Sequence, residues 1–137
     1  MQTSTKTIRQ RWLTVEVISI TAVGYFLLGY IGQLMAVPPG FATIIWPPAG
    51  LALAAVLAFG QRALTGIFIG AFSISVYIRI SGGTEINDWL IPVLMALYAT
   101  LQAHVGYFLV RRFVGLPMTY RKPAVIFRFL FITAVLS

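Results

Sequence analysis

The sequence consists mainly of apolar runs joined by loops of a few residues, and this alternation limits the folds open to it. The runs cover residues 12–37, 48–59, 63–80 and 89–110, and a fifth begins at Pro123. One helical crossing of a bilayer takes about twenty apolar residues. Lipid offers the backbone no hydrogen bonds, so spans of this kind are helical. The sequence predicts an all-α, integral membrane helical bundle with four complete spans and the start of a fifth.

The composition excludes most catalytic chemistry. Hydrophobic residues make up 59% of the chain and charged residues 9%, and the mean hydropathy is +0.90, far from the values of a soluble domain. There is no cysteine, and one histidine with three acidic residues cannot form a metal site with several ligands. No phosphate-binding loop and no nucleophile–base pair is visible. We therefore expect no catalytic residue, no metal and no cofactor in this chain.

The basic residues lie between the apolar runs, not along one polar face, so we expect no nucleic-acid partner. Assigning alternate loops to opposite sides of the membrane leaves Arg79 with Glu85 and Asp88 on one side. The other side receives Lys6, Arg9, Arg11, Arg62, Arg111, Arg112, Arg121 and Lys122. Basic loops stay in the cytoplasm, so this asymmetry predicts a multi-pass protein with a cytoplasmic N-terminus.

Small residues recur at helical spacing on three of the spans. They are Gly50, Ala54 and Ala58 on the second, Gly66, Gly70 and Ser73 on the third, and Ala96, Ala99, Ala103 and Gly106 on the fourth. Such stripes let helix backbones approach closely in lipid, where apolar helices have little other reason to associate. They predict a packed bundle. The alternative is that Gly and Ala are simply common in membrane spans.

The second span is short and follows two prolines. Proline suits the first position of a helix, so the helix is expected to begin at Pro48, with Pro47 before it. Its twelve residues reach about 18 Å, whereas the hydrocarbon core is about 30 Å thick. Non-helical backbone around Trp46 would then enter the membrane and direct a helix N-terminus, with Gly50 in its first turn, at a ligand or ion pocket. Alternatively, Trp46 lies at headgroup level and the bilayer thins locally.

Polar residues inside the spans are candidate site residues because their burial in lipid is costly. Gln33 shares a face of the first span with Tyr25 and Gly29, at the depth expected for the proline break. Tyr98 and Gln102 share a face of the fourth span. His104 lies about 200° round the helix from Gln102, so it cannot point into the same pocket. It is either a pH sensor or a neutral histidine bonded to a neighbouring span.

Two stretches resemble the first of the bacterial membrane-associated sensor (MASE) families. They are "WPPAGLALAAVLAFGQRALTGIFIGAF", residues 46–72, and "LYATLQAHVGYFLVRR", residues 97–112. The positions that match the family pattern are Trp46, Pro47, Pro48, Gly50, Gly60, Gly66 and Gly70. The chain departs from it at Thr65, where the family often has proline, at Ser75, where it often has asparagine, and at Gln102, where it often has an acid. A polar site in which the asparagine and acid took part would be altered here.

The resemblance implies a multi-span input module of histidine kinases and of cyclic-di-GMP synthases and phosphodiesterases, in the bacterial inner membrane. Because that module is longer than this chain, residues 1–137 would be its N-terminal part, and the stimulus would pass to a cytoplasmic effector domain. The expected partners are the lipid bilayer, that effector, and a second copy or another membrane protein. The alternatives are a substrate-binding membrane subunit of a small-solute transporter and a domain that only mediates assembly.

Overall fold

The computed structural model describes residues 2–35, 46–83 and 89–113, and these ranges contain helices and no strand. In chain order the helices are α1 (Gln2–Leu34), α2 (Pro47–Phe59), α3 (Arg62–Ser81) and α4 (Leu90–Phe113). The predicted all-α fold is confirmed. Residues 36–45 and 84–88 and the fifth apolar run lie outside the described residues.

Three of these helices are long and apolar enough to cross a membrane: the Arg11–Leu34 part of α1, α3, and the Leu90–Arg112 part of α4. Helix α2 has 13 residues, or about 20 Å, and is too short to cross alone. The described part of the chain therefore holds three spans and one short helix, where the sequence predicted four complete spans. These helices make the chain an integral membrane protein.

Helices α1, α2 and α3 begin before the apolar runs that predict them. Helix α1 begins at Gln2 and not near Trp12, because its first nine residues are mostly polar but compatible with a helix. They add about 14 Å to its length. Helix α2 begins at Pro47, one residue before the predicted start, so both prolines lie in its first turn. Apolar patterning marks the part of a helix that lipid covers, and this can be shorter than the helix itself.

Helices α1 and α3 cross with their backbones in contact. A β-carbon added to Gly66 would lie 2.6 Å from the carbonyl oxygen of Ile18, and one added to Gly70 would lie 2.7 Å from the carbonyl oxygen of Ala22. Further along, a β-carbon on Gly29 would lie 2.8 Å from Cγ1 of Ile74. Residue numbers rise together along both helices, so α1 and α3 run parallel. No side chain fits between them at the two α3 glycines.

Helices α2 and α4 complete the bundle. Helix α3 contacts both α1 and α4, and α2 contacts the other three helices. The buried core between them is built mostly from small residues: Tyr25, Ala52, Ala55, Val56, Ala63, Ile67, Ala71, Ile74, Ala96, Ala99 and Ala103. Packing of small residues is the main source of helix association in lipid. Most larger apolar side chains of the described helices lie outside it, where lipid can cover them.

The turn between α2 and α3 depends on Gly60. Its φ is 71°, a left-handed conformation that other residues rarely adopt. Its N–H donates to the Val56 carbonyl at 2.9 Å and closes the last turn of α2. Its own carbonyl accepts from the Ala63 N–H at 3.1 Å, in the first turn of α3. A two-residue connection of this kind fixes the relative directions of α2 and α3.

Candidate functional site

The start of α2 leaves few hydrogen-bond donors unpaired. Helices ordinarily begin with several N–H groups that have no partner within the helix. Here the first two residues are Pro47 and Pro48, which have no N–H, and the N–H of the third residue, Ala49, donates to the Trp46 carbonyl at 3.1 Å. The three opening positions of α2 therefore present no free donor. This is a way to begin a helix where water is absent.

That geometry changes what the predicted pocket could bind. Helix N-termini hold anions mainly through free N–H groups, and the dipole adds to this. The first three positions of α2 offer the dipole without the donors. Gly50 is exposed, and a β-carbon added to it would have nothing within 4 Å. The start of α2 is thus suited to an uncharged or weakly polar group, and a ligand there stays a prediction.

Trp46 and Pro47 pack on α1. A β-carbon added to Gly32 would lie 3.3 Å from Cδ of Pro47 and 3.4 Å from two ring carbons of Trp46. The Trp46 indole is also within hydrogen-bonding reach of the Tyr25 hydroxyl, on a side chain that is only 3% exposed. We call Tyr25, Gly32, Trp46 and Pro47 the α1–α2 contact. It holds the start of α2 against α1.

The sequence pointed to one part of this contact and missed another. Tyr25 and Trp46 were singled out, but Gly32 was not, although it lies seven residues after Tyr25 and therefore on the same helix face. Gln33, which was singled out, lies half-buried beside it. The spacing of Gly32 from Tyr25 could have placed it on that helix face. Its contact with Trp46, however, can be recognised only when the position of Trp46 against α1 is known.

The other two candidate ligand residues lie on α4. Tyr98 is 62% exposed on the outer side of that helix, and Gln102 is half-buried. Neither belongs to the α1–α2 contact, whose residues come from α1 and the start of α2. The structure therefore gives no geometry that joins all the predicted polar residues in one pocket.

The residues predicted to pack have two different environments. Gly66 and Gly70 on α3 are buried, and so are Ala103 and Gly106 on α4. Ala54 on α2 is exposed, as are the other two members of its stripe, Gly50 and Ala58. Helix α2 instead buries Pro48, Ala52, Leu53, Ala55 and Val56. The expectation that α2 packs through Ala54 needs correcting, because Ala54 lies about 200° round the helix from buried Val56.

Two buried polar groups were not anticipated. The Thr21 hydroxyl has no hydrogen-bond partner within the described residues, and its β-carbon would lie 2.8 Å from a β-carbon added to Gly66. The Nε atom of Arg79, in the last turn of α3, is likewise buried without a partner there. Thr21 precedes Tyr25 by one turn, so helical spacing could have placed it on the buried face of α1.

Aromatic groups pair near both ends of the bundle. The Tyr77 ring meets the rings of Phe26 and Tyr30 edge to face, with centroids 5.9 and 5.7 Å apart. At the other end of α4, Arg111 donates to the Tyr107 hydroxyl at 2.7 Å and lies over the Tyr107 ring. Rings with a polar group suit the membrane interface. The positions of these pairs agree with the ends of the spans that α3 and α4 form.

The chain belongs to the MASE1 family, whose model matches residues 15–137. This is the first family of membrane-associated sensor domains, and its members are membrane sensory modules. The family resemblance seen in the Trp-Pro-Pro stretch is thereby confirmed. No curated protein and no solved structure matches the chain.

Proposed function

We propose that this chain is the membrane-embedded input part of a bacterial signalling protein, in the inner membrane with a cytoplasmic N-terminus. It would pass a stimulus to a cytoplasmic effector, either a histidine kinase or an enzyme that makes or degrades cyclic-di-GMP. The observation that carries this proposal is the family match over residues 15–137.

The packing of the helices suggests how a stimulus could act. The α1–α3 crossing has backbone against backbone and leaves little room for adjustment. The α1–α2 contact consists of a half-buried indole and a proline ring on Gly32, which can separate without a backbone clash. Helix α2 also contacts α3 and α4. A change at Trp46 would therefore shift α2 against α4, whose basic last turn lies at the proposed cytoplasmic side.

The effector output of the full-length protein tests this proposal. Trp46→Ala should alter kinase activity or the cyclic-di-GMP level at normal protein abundance, because it removes the contact that positions α2. Trp12→Ala is the matched control, since Trp12 is 66% exposed on α1. Unchanged output from an abundant Trp46→Ala protein would contradict the proposed route. Solute uptake by vesicles containing the wild-type protein would instead favour a transporter subunit.

The orientation has its own test, which the absence of native cysteine makes simple. Gln61, in the turn before α3, and Ser81, at the end of α3, are both exposed. In intact cells an impermeant thiol reagent should label Ser81→Cys and spare Gln61→Cys until the cells are broken. The opposite pattern would reverse the topology that the charge asymmetry predicts.

A further inference from the structure

Thr21 differs from three other residues with a hydroxyl group in the described helices. The hydroxyls of Ser73, Ser75 and Thr100 donate to the carbonyl four residues earlier in their own helix, at 2.7 or 2.8 Å. That bond satisfies a serine or threonine hydroxyl inside a helix. The Thr21 hydroxyl makes no such bond to Val17 and has no partner within the described residues. The side chain is only 3% exposed, so the surrounding lipid cannot supply a partner.

The α1–α3 crossing accounts for this difference. A β-carbon added to Gly66 would lie 2.8 Å from that of Thr21 and 2.6 Å from the carbonyl oxygen of Ile18. The Thr21 side chain therefore packs against α3 where the two backbones are in contact. A χ1 rotation that brings the hydroxyl to Val17 also moves the methyl group on the same β-carbon, and the contact with Gly66 opposes this movement. Close packing and pairing of the hydroxyl thus compete at one residue.

The unpaired hydroxyl lowers the stability of the closed crossing. A buried polar group without a partner is costly, whereas an apolar group of the same shape can be neutral or stabilising. The cost applies only while the crossing is closed, because the Val17 carbonyl comes within reach once the helices separate. The crossing therefore has two arrangements, one that gains packing and one that gains a hydrogen bond. Packed interfaces pass between discrete arrangements of this kind and do not deform continuously.

Tyr25, one turn after Thr21, connects the crossing to α2. A β-carbon added to Gly70 would lie 2.7 Å from the β-carbon of Tyr25, so Tyr25 packs on α3 beside Thr21. Its hydroxyl is within hydrogen-bonding reach of the Trp46 indole at the start of α2. One side chain therefore takes part in both the α1–α3 crossing and the α1–α2 contact. Loss of the indole would free the Tyr25 ring and weaken the crossing one turn from Thr21.

We propose that Thr21 is a destabilising element built into the α1–α3 crossing. It makes a second, loosened arrangement accessible, in which its hydroxyl donates to the Val17 carbonyl and the helices separate at Gly66. A stimulus that acts at Trp46 favours this arrangement through Tyr25. This last step rests on the proposed signalling function, whereas the destabilisation by Thr21 holds whatever the stimulus and effector are.

Replacing the hydroxyl by a methyl group tests the destabilisation. Thr21→Val keeps the branched shape of the side chain and should raise the melting temperature in mild detergent by about 4 °C, because the unpaired group is gone. Thr100→Val is the matched control: that hydroxyl already has a partner, so its loss should leave the melting temperature unchanged or lower it. An unchanged or lower value for Thr21→Val, or the same rise for both variants, would overturn the proposal.

Distances between spin labels in bilayers report the loosened arrangement itself. Ser19 and Thr65 are exposed and adjoin the Ile18–Gly66 contact, and the absence of native cysteine allows both to be labelled as cysteines. The labelled protein should show a shorter and a longer distance, and Thr21→Val should reduce the share of the longer one. A single distance, or two distances whose proportions Thr21→Val leaves unchanged, would contradict the second arrangement or the role of Thr21 in it.

The step from Trp46 to the crossing has a separate test. In the same labelled protein, Trp46→Ala should increase the share of the longer distance, and adding Thr21→Val should reverse most of that increase. If Trp46→Ala changes the effector output of the full-length protein but not the distances, the stimulus does not pass through the crossing and this step is wrong. If it changes the distances but not the output, the crossing opens as proposed and the signalling function is contradicted instead.

Discussion

Helices α2 and α3 carry similar stripes of small residues and use them in opposite ways. On α3, β-carbons added to Gly66 and Gly70 would collide with backbone atoms of α1. On α2, a β-carbon added to Gly50 would meet nothing within 4 Å. A small-residue stripe therefore permits close packing without locating it. Whether a stripe packs closely depends on the distance from its glycines to the backbone of the neighbouring helix.

The largest effect expected from this difference is at the α1–α3 crossing. Gly66→Leu or Gly70→Leu would force two helix backbones apart, so we expect loss of most of the folded chain. Thr65→Leu is the control, because Thr65 lies on α3 but is exposed. Thermal unfolding in mild detergent gives the comparison. Equal stability of the Thr65 and Gly66 variants would remove the case for a close crossing.

A smaller loss is expected where a glycine meets a side chain. A β-carbon on Gly29 would lie 2.8 Å from Cγ1 of Ile74, and that side chain can move. Overpacking of this kind typically costs about 1–3 kcal/mol, and we expect Gly29→Ala to fall at the lower end. The same change in an Ile74→Ala background should cost less. A cost that is unaffected by Ile74→Ala would place the strain elsewhere.

The α1–α2 contact should contribute still less to the free energy of unfolding. Tyr25→Phe removes the hydroxyl that the Trp46 indole can reach, while the ring stays in the core. Hydrogen bonds between membrane helices average about 0.6 kcal/mol, so we expect a loss of that order. Unfolding measured for Tyr25→Phe, Trp46→Phe and the double variant isolates the pair. Strictly additive losses would show that the two side chains do not interact.

Gly50→Val should have the smallest effect on folding. Gly50 is exposed, and such changes usually alter stability by no more than about 0.5 kcal/mol. If the start of α2 is the sensory site, the valine obstructs the approach and abolishes effector output at normal abundance, while Pro47→Ala should do less. Normal output from an abundant Gly50→Val protein would remove Gly50 from the proposed site.

Much of the fold followed from the sequence, because membrane helices are specified mainly by long apolar runs. The three long helices, the short α2 and the proline start are all visible there. The extension of α1 back to Gln2 is not, since its polar first turns lack the apolar signal. The pairing of α1 with α3 could not be predicted from the sequence either, because a small-residue stripe on α3 does not indicate which helix it contacts.

Less of the candidate site could be predicted from the sequence. Trp46 and Pro47 could be picked out as a motif, but Gly32 gains its role only when the indole folds onto α1. The donor-poor start of α2 depends on Pro47 being the first helical residue, a one-residue difference that sequence reading placed wrongly. Local chemistry of this kind is decided by backbone geometry at single residues, where apolar patterning is uninformative.

The measurement that bears most directly on this account compares Gly66→Ala with Gly50→Ala, the same single methyl group added at two glycines. The free energy of unfolding would be measured in bilayers or bicelles for both variants and the wild type. Gly66→Ala should lose about 1–3 kcal/mol, because the methyl group meets backbone atoms that cannot move aside. Gly50→Ala should be neutral or gain up to about 1 kcal/mol from helix propensity. Equal changes at the two positions would contradict the claim that the bundle is held at the α1–α3 crossing.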